Sequence, residues 1–267
     1  MSTDGAPLFR RDDHAGVATI TLTSAANRNA LSLLMLNTLI VAFDEMAGQD
    51  AVRAIVVAGD GPAFSSGHDL REIQAHSNDA DRGAAFYEKL FDRCATFMRG
   101  LTEHPKPVIS AVEGVATAAG CQLVAASDLA VAGRKARFSL PGVRKAGFCS
   151  TPLVAVGRAV SRKHAMEMAL TGEFLDAERA EAIGLVNRVT PQGEALAAAQ
   201  AMAALIASRP TSGIALGKRA FYEQIEMPLG LAYECASRAM VESFQNEDAI
   251  EGRAAFLEKR APRWGGM

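Results

Sequence analysis

The chain has 267 residues and a mass of 28.2 kDa, with 49% hydrophobic and 22% charged residues. These are globular values; they exclude a disordered or collagen-like chain and fit one large domain, or a domain with an appended subdomain. A net charge of −2 and only 6% aromatic residues exclude a basic field for nucleic acid and a stacking platform for single strands.

Cys94, Cys121, Cys149 and Cys235 form no C-x-x-C pair, and no histidine stands beside one at ligand spacing. Neither a metal site nor a disulfide framework is expected. Met1 to Asp13 carries Asp4, Asp12 and Asp13 with no apolar run, so no export signal is read there. The longest weakly polar stretch, Gly114 to Ala126, is too short to span a bilayer. Together these features predict a cytoplasmic protein in a reducing compartment.

In chain order, Val17 to Leu22 alternates β-branched and small residues and reads as a strand. Ser32 reads as the N-cap of a helix carrying Leu36, Leu39, Ile40, Phe43 and Met46, closed by Gly48. Ala54 to Ala58, Val108 to Val112 and Leu129 to Ala132 are short apolar runs, as expected of strands covered on both faces. Ala84 to Leu101 reads as a long helix. Strands alternating with helices predict an α/β fold with a mostly parallel sheet.

After Thr171 the pattern becomes helical. Asp176 caps one short helix, and Thr190-Pro191 is expected to open another. That second helix has seven alanines among the ten residues Ala195 to Ala204, so its neighbour must pack very closely. Leu229, Tyr233, Ala236, Met240 and Phe244 form a further apolar stripe. The predicted division is a core over 1–190 and a helical region over 191–267.

Gly213 to Lys218 (GIALGK) is one residue short of a phosphate loop, and Arg219 stands where Ser or Thr is needed; it reads as a helix start. There is no G-x-G-x-x-G, G-x-S-x-G or H-E-x-x-H.

Two glycine-bearing strand-to-helix junctions remain: Phe64 to Leu70 (FSSGHDL), and Glu113 to Gln122 (EGVATAAGCQ). Such turns leave backbone N–H groups pointing outward. Two of them side by side can clamp one carbonyl oxygen as an oxyanion hole. Small residues that only permit close helix–sheet packing would give the same pattern.

Lys106 to Val112 (KPVISAV), followed by Gly114 and Ala119-Gly120-Cys121, resembles the signature of the crotonase superfamily, the enoyl-CoA hydratase/isomerase family. Asn29-Ala30-Leu31, Phe64 to Asp69, Leu170-Thr171-Gly172, Ala182 to Val186 and Glu258 to Trp264 resemble it too, in the family's order. Ala116 to Gln122, Pro141-Gly142-Val143 and Phe148 to Pro152 are similar to the narrower branch called enoyl-CoA hydratase domain-containing protein three.

The resemblance implies an α/β ββα spiral of the crotonase type with a C-terminal helical trimerisation region, assembled as a homotrimer or hexamer. It also implies an acyl-CoA thioester as ligand. No cofactor is implied beyond the CoA of the substrate, and no metal, nucleic acid or membrane partner. By matching positions, the oxyanion-hole amides would be those of His68 and Ala119. Arg28 and Arg71 fall where basic residues of the family meet the CoA phosphates, and Ser66 lies where the adenine is held by backbone. Phe256 and Lys259 would approach the adenine end, on a neighbouring subunit.

Two positions depart from the family pattern. Its paired glutamates, which hold one water and move its proton, are here Gln122 and Gly142. A glutamine amide has no usable pKa and glycine offers only backbone, so ordinary hydration is expected to be very low. Replacing both by glutamate is expected to raise it. His68 could serve as a base, and Cys149 as a nucleophile if its thiolate were stabilised. Three functions follow: an enoyl-CoA hydratase/isomerase-like lyase of fatty-acid metabolism using the oxyanion hole, a non-catalytic acyl-CoA-binding or regulatory protein, and an acyl-CoA thioesterase using Cys149 or Ser150 with His68.

Overall fold

The computed structural model describes residues 7–145 and 147–264. Residues 1–6, part of the segment read above for an export signal, lie outside the described residues. The main sheet is built from β1 (Phe9–His14), β2 (Val17–Leu22), β3 (Ala54–Gly59), β5 (Val108–Val112), β7 (Leu129–Gly133) and β10 (Arg188–Thr190), side by side in that order. Only β1, at one edge, runs antiparallel to its neighbour.

The apolar runs read from the sequence are these central strands, and side-chain alternation along them divides the core in two. Ile55 and Val57 face one side, with Leu36, Leu39 and Phe43 of α1 (Leu33–Ala47) and Phe97 and Leu101 of α3 (Ala84–Glu103). Ala54, Val56 and Ala58 face the other, against Ala195, Ala199, Ala203 and Ala207 of α8 (Ala195–Ala207). The alanine-rich helix is thus the sheet's close-packed cover: a buried stripe of methyl groups lets its backbone approach the strands.

The helix expected at Thr190-Pro191 starts later. Thr190 ends β10, and α8 begins at Ala195. The reason is a distant carboxylate: Glu113 Oε1 accepts from the Gly193 and Ala195 amides, each at 3.0 Å, and so takes the place of a local cap.

A second sheet has the order β4 (Ala63–Ser65), β6 (Val115–Thr117), β8 (Arg137–Ser139) and β9 (Leu175–Asp176). Strands of two or three residues carry too few positions to show a period of two, so none of the four was legible in the sequence. They matter because β4 and β6 are parallel neighbours. Their ends deliver the two glycine-bearing junctions to one place. β4 runs into the loop before α2 (Leu70–Ala75), and β6 runs into α4 (Ala119–Ala126). Packing is tight: a Cβ on Gly120 would stand 2.2 Å from the Ser65 carbonyl oxygen.

The chain continues through α5 (Pro152–Ala159), α6 (Arg162–Thr171) and α7 (Ala177–Ala182), the last capped by Asp176 as expected. After α8 come α9 (Thr211–Gln224), α10 (Leu229–Gln245) and α11 (Glu247–Leu257). GIALGK lies in the first two turns of α9, which starts at Thr211, and Lys218 turns inward. Its Nζ donates to Asp128 Oδ2 at 2.7 Å and to the Leu101 and Lys106 carbonyls. The residue that invited a phosphate reading is a buried tie between the helical region and the core. On α10, Leu229, Tyr233, Met240 and Phe244 of the apolar stripe stay exposed in the single chain. Among the described residues, no helix is long and apolar enough to cross a membrane.

Candidate functional site

The two junctions meet at Gly67. Its φ of +83° suits glycine, and a Cβ there would lie 2.9 Å from Thr117 O and 3.0 Å from Ala119 N. Residue 67 therefore touches the amide of residue 119, and His68 follows directly. The Leu31 backbone holds this loop, since Leu31 N donates to Gly67 O at 2.8 Å. Thr117 Oγ1 adds a second tie by donating to Ser66 O at 3.1 Å.

Ala118 is strained, with φ 50° and ψ −119°, a conformation that alanine rarely adopts. The ladder from β6 ends there, with Ala118 N donating to Ser139 O at 3.0 Å. The unusual turn converts strand into helix within one residue and leaves Ala119 as the first residue of α4. Its N–H has no partner within the helix. Among the described residues, neither the His68 nor the Ala119 amide donates to an acceptor. Two free main-chain donors beside one glycine can hold one oxygen and stabilise charge developing on it.

The side chains around this pair are mostly sealed. Nδ1 of His68 lies 3.1 Å from Leu31 O, and a carbonyl only accepts, so the ring proton is assigned to Nδ1. Burial lowers the His68 pKa against the opposing pull of that bond, and the ring is neutral at pH 7. It packs edge-on against Phe91, and Nε2 is buried with no hydrogen-bond partner. His68 is thus a packed residue rather than a freely exposed loop side chain.

Gln122 is 3% exposed and sits one turn into α4, on the same face as Ala119. Its Oε1 lies 3.8 Å from Cys94 Sγ of α3. Cys94 was not anticipated as a neighbour, because nothing in the sequence links position 94 to position 122.

Gly142 lies in a 3-10 segment, Pro141–Lys145. A Cβ built on it would stand 2.8 Å from Cys149 N and 3.0 Å from Phe148 Cα. The space belongs to backbone. This corrects the expectation that glutamates at 122 and 142 would together restore an acid/base pair, for a side chain at 142 has no room. Cys149 is also corrected as a candidate nucleophile. It is buried, and burial pushes its thiol pKa up although the Gly142 amide pulls the other way. A protonated thiol is a poor nucleophile.

Neither of the two acids between Gly114 and Thr171 substitutes for the missing pair. Asp128 is bound to Lys218, Tyr222 and the Val108 amide, and Glu167 is exposed on α6 near Arg179. Among the described residues, no group of histidines, cysteines and acids could hold a metal ion.

Of the residues expected to bind CoA, three flank the pair. Arg28 is exposed, and its carbonyl accepts from Ser66 N at 3.0 Å. Arg71 is exposed in the first turn of α2, where Asp69 Oδ1 accepts from its amide. Phe256, 83% exposed, and Lys259 lie at the end of α11, which packs on α9 and α10. Among the described residues, no hydrogen bond or ring contact joins them to Arg28, Ser66 or Arg71.

Comparison with known proteins agrees with this architecture. The enoyl-CoA hydratase/isomerase family pattern matches residues 12–267. The rat protein named enoyl-CoA hydratase domain-containing protein 3, mitochondrial, is 43% identical over 249 residues, covering 93% of this chain and 81% of its own. The human protein of that name is also 43% identical, covering 93% and 80%. The crystal structure of human enoyl-CoA hydratase domain-containing protein 3 superposes with a TM-score of 0.91 at 41% identity, covering 97% of this chain and 100% of that one. An enoyl-CoA hydratase from Mycobacterium smegmatis gives 0.92 at 46% identity, covering 97% and 99%.

The mitochondrial names of the rat and human relatives overturn the cytoplasmic expectation. Free cysteines point to reducing surroundings; they do not separate one reducing compartment of a cell from another. In fold and in sequence, the chain belongs to the enoyl-CoA hydratase/isomerase family, the crotonase superfamily.

Proposed function

We propose that the protein binds acyl-CoA thioesters and polarises the thioester carbonyl between the His68 and Ala119 amides. The observation that carries this reading is the strained Ala118 turn, which leaves the Ala119 amide unpaired against Gly67. Arg28 and Arg71 would meet the phosphates, and Ser66 the adenine. Gln122 and Gly142 stand in place of the family glutamates, so two-carboxylate hydration is weak, and the protein acts as a lyase-like enzyme only on thioesters that need no such pair. Non-catalytic acyl-CoA binding is the second reading, favoured by the backbone packed against Gly142. Thioester hydrolysis through Cys149 has less support, because burial keeps its thiol protonated.

Calorimetric titration with butanoyl-CoA, with mass spectrometry for products, tests this. Wild-type protein is expected to bind. Gly67→Ala should weaken binding about tenfold or more, because the added methyl presses on the Ala119 amide and removes at least one hydrogen bond. Equal binding by the two proteins, in a folded variant, would place the thioester elsewhere. Binding without product would select the non-catalytic reading.

We also propose assembly as a homotrimer or hexamer through α9 to α11. Leu229 is 75% and Tyr233 70% exposed in the single chain, an apolar surface that calls for cover. In such an assembly Phe256 and Lys259 could reach a neighbour's adenine end. Light scattering is expected to give three or six chain masses; a monomer at micromolar concentration would refute the assembly.

A further inference from the structure

The amide at position 122 has two ends, and the structure distinguishes them. Cys94 Sγ lies 3.8 Å from Gln122 Oε1. The Cys94 thiol is pushed up to about 12 by burial, so it carries its proton at neutral pH and can donate. The reversed amide would set Nε2 against sulfur, which is a weak acceptor, and would give up the better oxygen acceptor. Oε1 is therefore held toward α3, and the Nε2 donors are left over. Among the described residues, no group accepts from Nε2.

Helical side chains lean toward the helix N-terminus. Gln122 leaves α4 one turn after Ala119, so its free end is directed back toward the amide of residue 119. Gln122 thus shares a face of α4 with Ala119, whose amide is left free by the Ala118 turn.

We propose that the Cys94 thiol fixes the direction of the Gln122 amide, making position 122 a hydrogen-bond donor, and that the site thereby favours acyl-CoA thioesters with an oxygen acceptor at C3, the 3-oxoacyl class. Cys94 is a positioning residue, acting through Gln122. The inference rests on the acyl-thioester reading above and adds the substrate class.

Calorimetric titration of the full-length protein with butanoyl-CoA, 3-oxobutanoyl-CoA and 3-hydroxybutanoyl-CoA separates the two ideas. One extra neutral hydrogen bond should make the 3-oxo thioester bind about three- to tenfold tighter than butanoyl-CoA. Cys94→Ala should bring that ratio close to one, and Cys94→Ser, whose hydroxyl also donates, should restore it. A merely structural role for Cys94 would lower the melting temperature without moving the ratio. Should Cys94→Ala fail to fold, Gln122→Leu replaces it, with the same loss of preference expected. If no thioester binds, the acyl-CoA reading itself fails. If butanoyl-CoA binds and the 3-oxo compound binds no tighter, only the present inference fails. Preference for the 3-hydroxy compound would mean that the amide presents its oxygen, and a ratio unchanged in folded Cys94→Ala would remove the thiol from the argument; either result overturns it.

Discussion

Crotonyl-CoA hydration by this protein is expected to run at least about a thousand-fold slower than in a family member with glutamates at both positions, since each positioned acid/base group contributes about a hundred- to ten-thousand-fold. The structure sharpens the reason. Gln122 can offer hydrogen bonds but cannot take and return a proton near neutral pH. Position 142 is closed by the Phe148–Cys149 backbone. His68 does not compensate, because its one basic nitrogen, Nε2, is buried away from solvent. A spectrophotometric assay at saturating crotonyl-CoA checks the rate, and turnover within tenfold of the two-glutamate enzyme would refute the prediction. Gln122→Glu alone is expected to recover part of the activity. Adding Gly142→Glu should give no further gain and should destabilise the protein, because its Cβ meets main-chain atoms that cannot move aside singly. A double variant faster than Gln122→Glu would show that the 141–149 segment yields more readily than its contacts suggest.

Asp128→Ala is expected to destabilise the protein by about 3–5 kcal/mol, the range for stranding one charge of a buried pair. Lys218 is 7% and Asp128 14% exposed at the side chain, and their atoms are 2.7 Å apart. Asp128 also accepts from Val108 N at 2.7 Å and from the Tyr222 hydroxyl at 2.9 Å. Its loss leaves an ammonium group facing two carbonyls and two donors facing nothing. Burial already lowers the Lys218 pKa despite the favourable carboxylate, so the charge is costly even when paired. Lys218→Met in the Asp128→Ala background should therefore recover a large part of the loss, because no buried charge remains. Urea unfolding of the wild type, Asp128→Ala, Lys218→Met and the double variant measures the coupling. A loss below about 1 kcal/mol for Asp128→Ala would mean that water reaches Lys218. Partial unfolding confined to α9–α11, seen as early proteolysis there, is the expected structural consequence.

Much of the fold was legible in the residues. The strand at Val17–Leu22 and the helix from Ser32 to Gly48 stand where the pattern put them, because a period of 2 or 3.6 and a capping serine act over a few neighbouring residues. The short strands β4, β6, β8 and β9 were not legible, since a strand of two or three residues is defined by its partner. The start of α8 was misplaced for a related reason: its cap, Glu113, is 82 residues away along the chain. Lys218 looked like part of a ligand loop until its partners, some 90 to 117 residues distant, came into view.

At the site, the identity of each side chain was decided by sequence alone: which junctions carry glycine, and that glutamine and glycine replace two acids. Those facts bound the chemistry, because a group that is not encoded cannot transfer a proton. Only the tertiary structure decided what surrounds each group. It placed Gly67 against the Ala119 amide, strained Ala118, filled the space beside Gly142, buried Cys149 and set Cys94 beside Gln122. Environment depends on segments that meet in space from far apart in the chain, and protonation, room and hydrogen-bond direction all follow from environment.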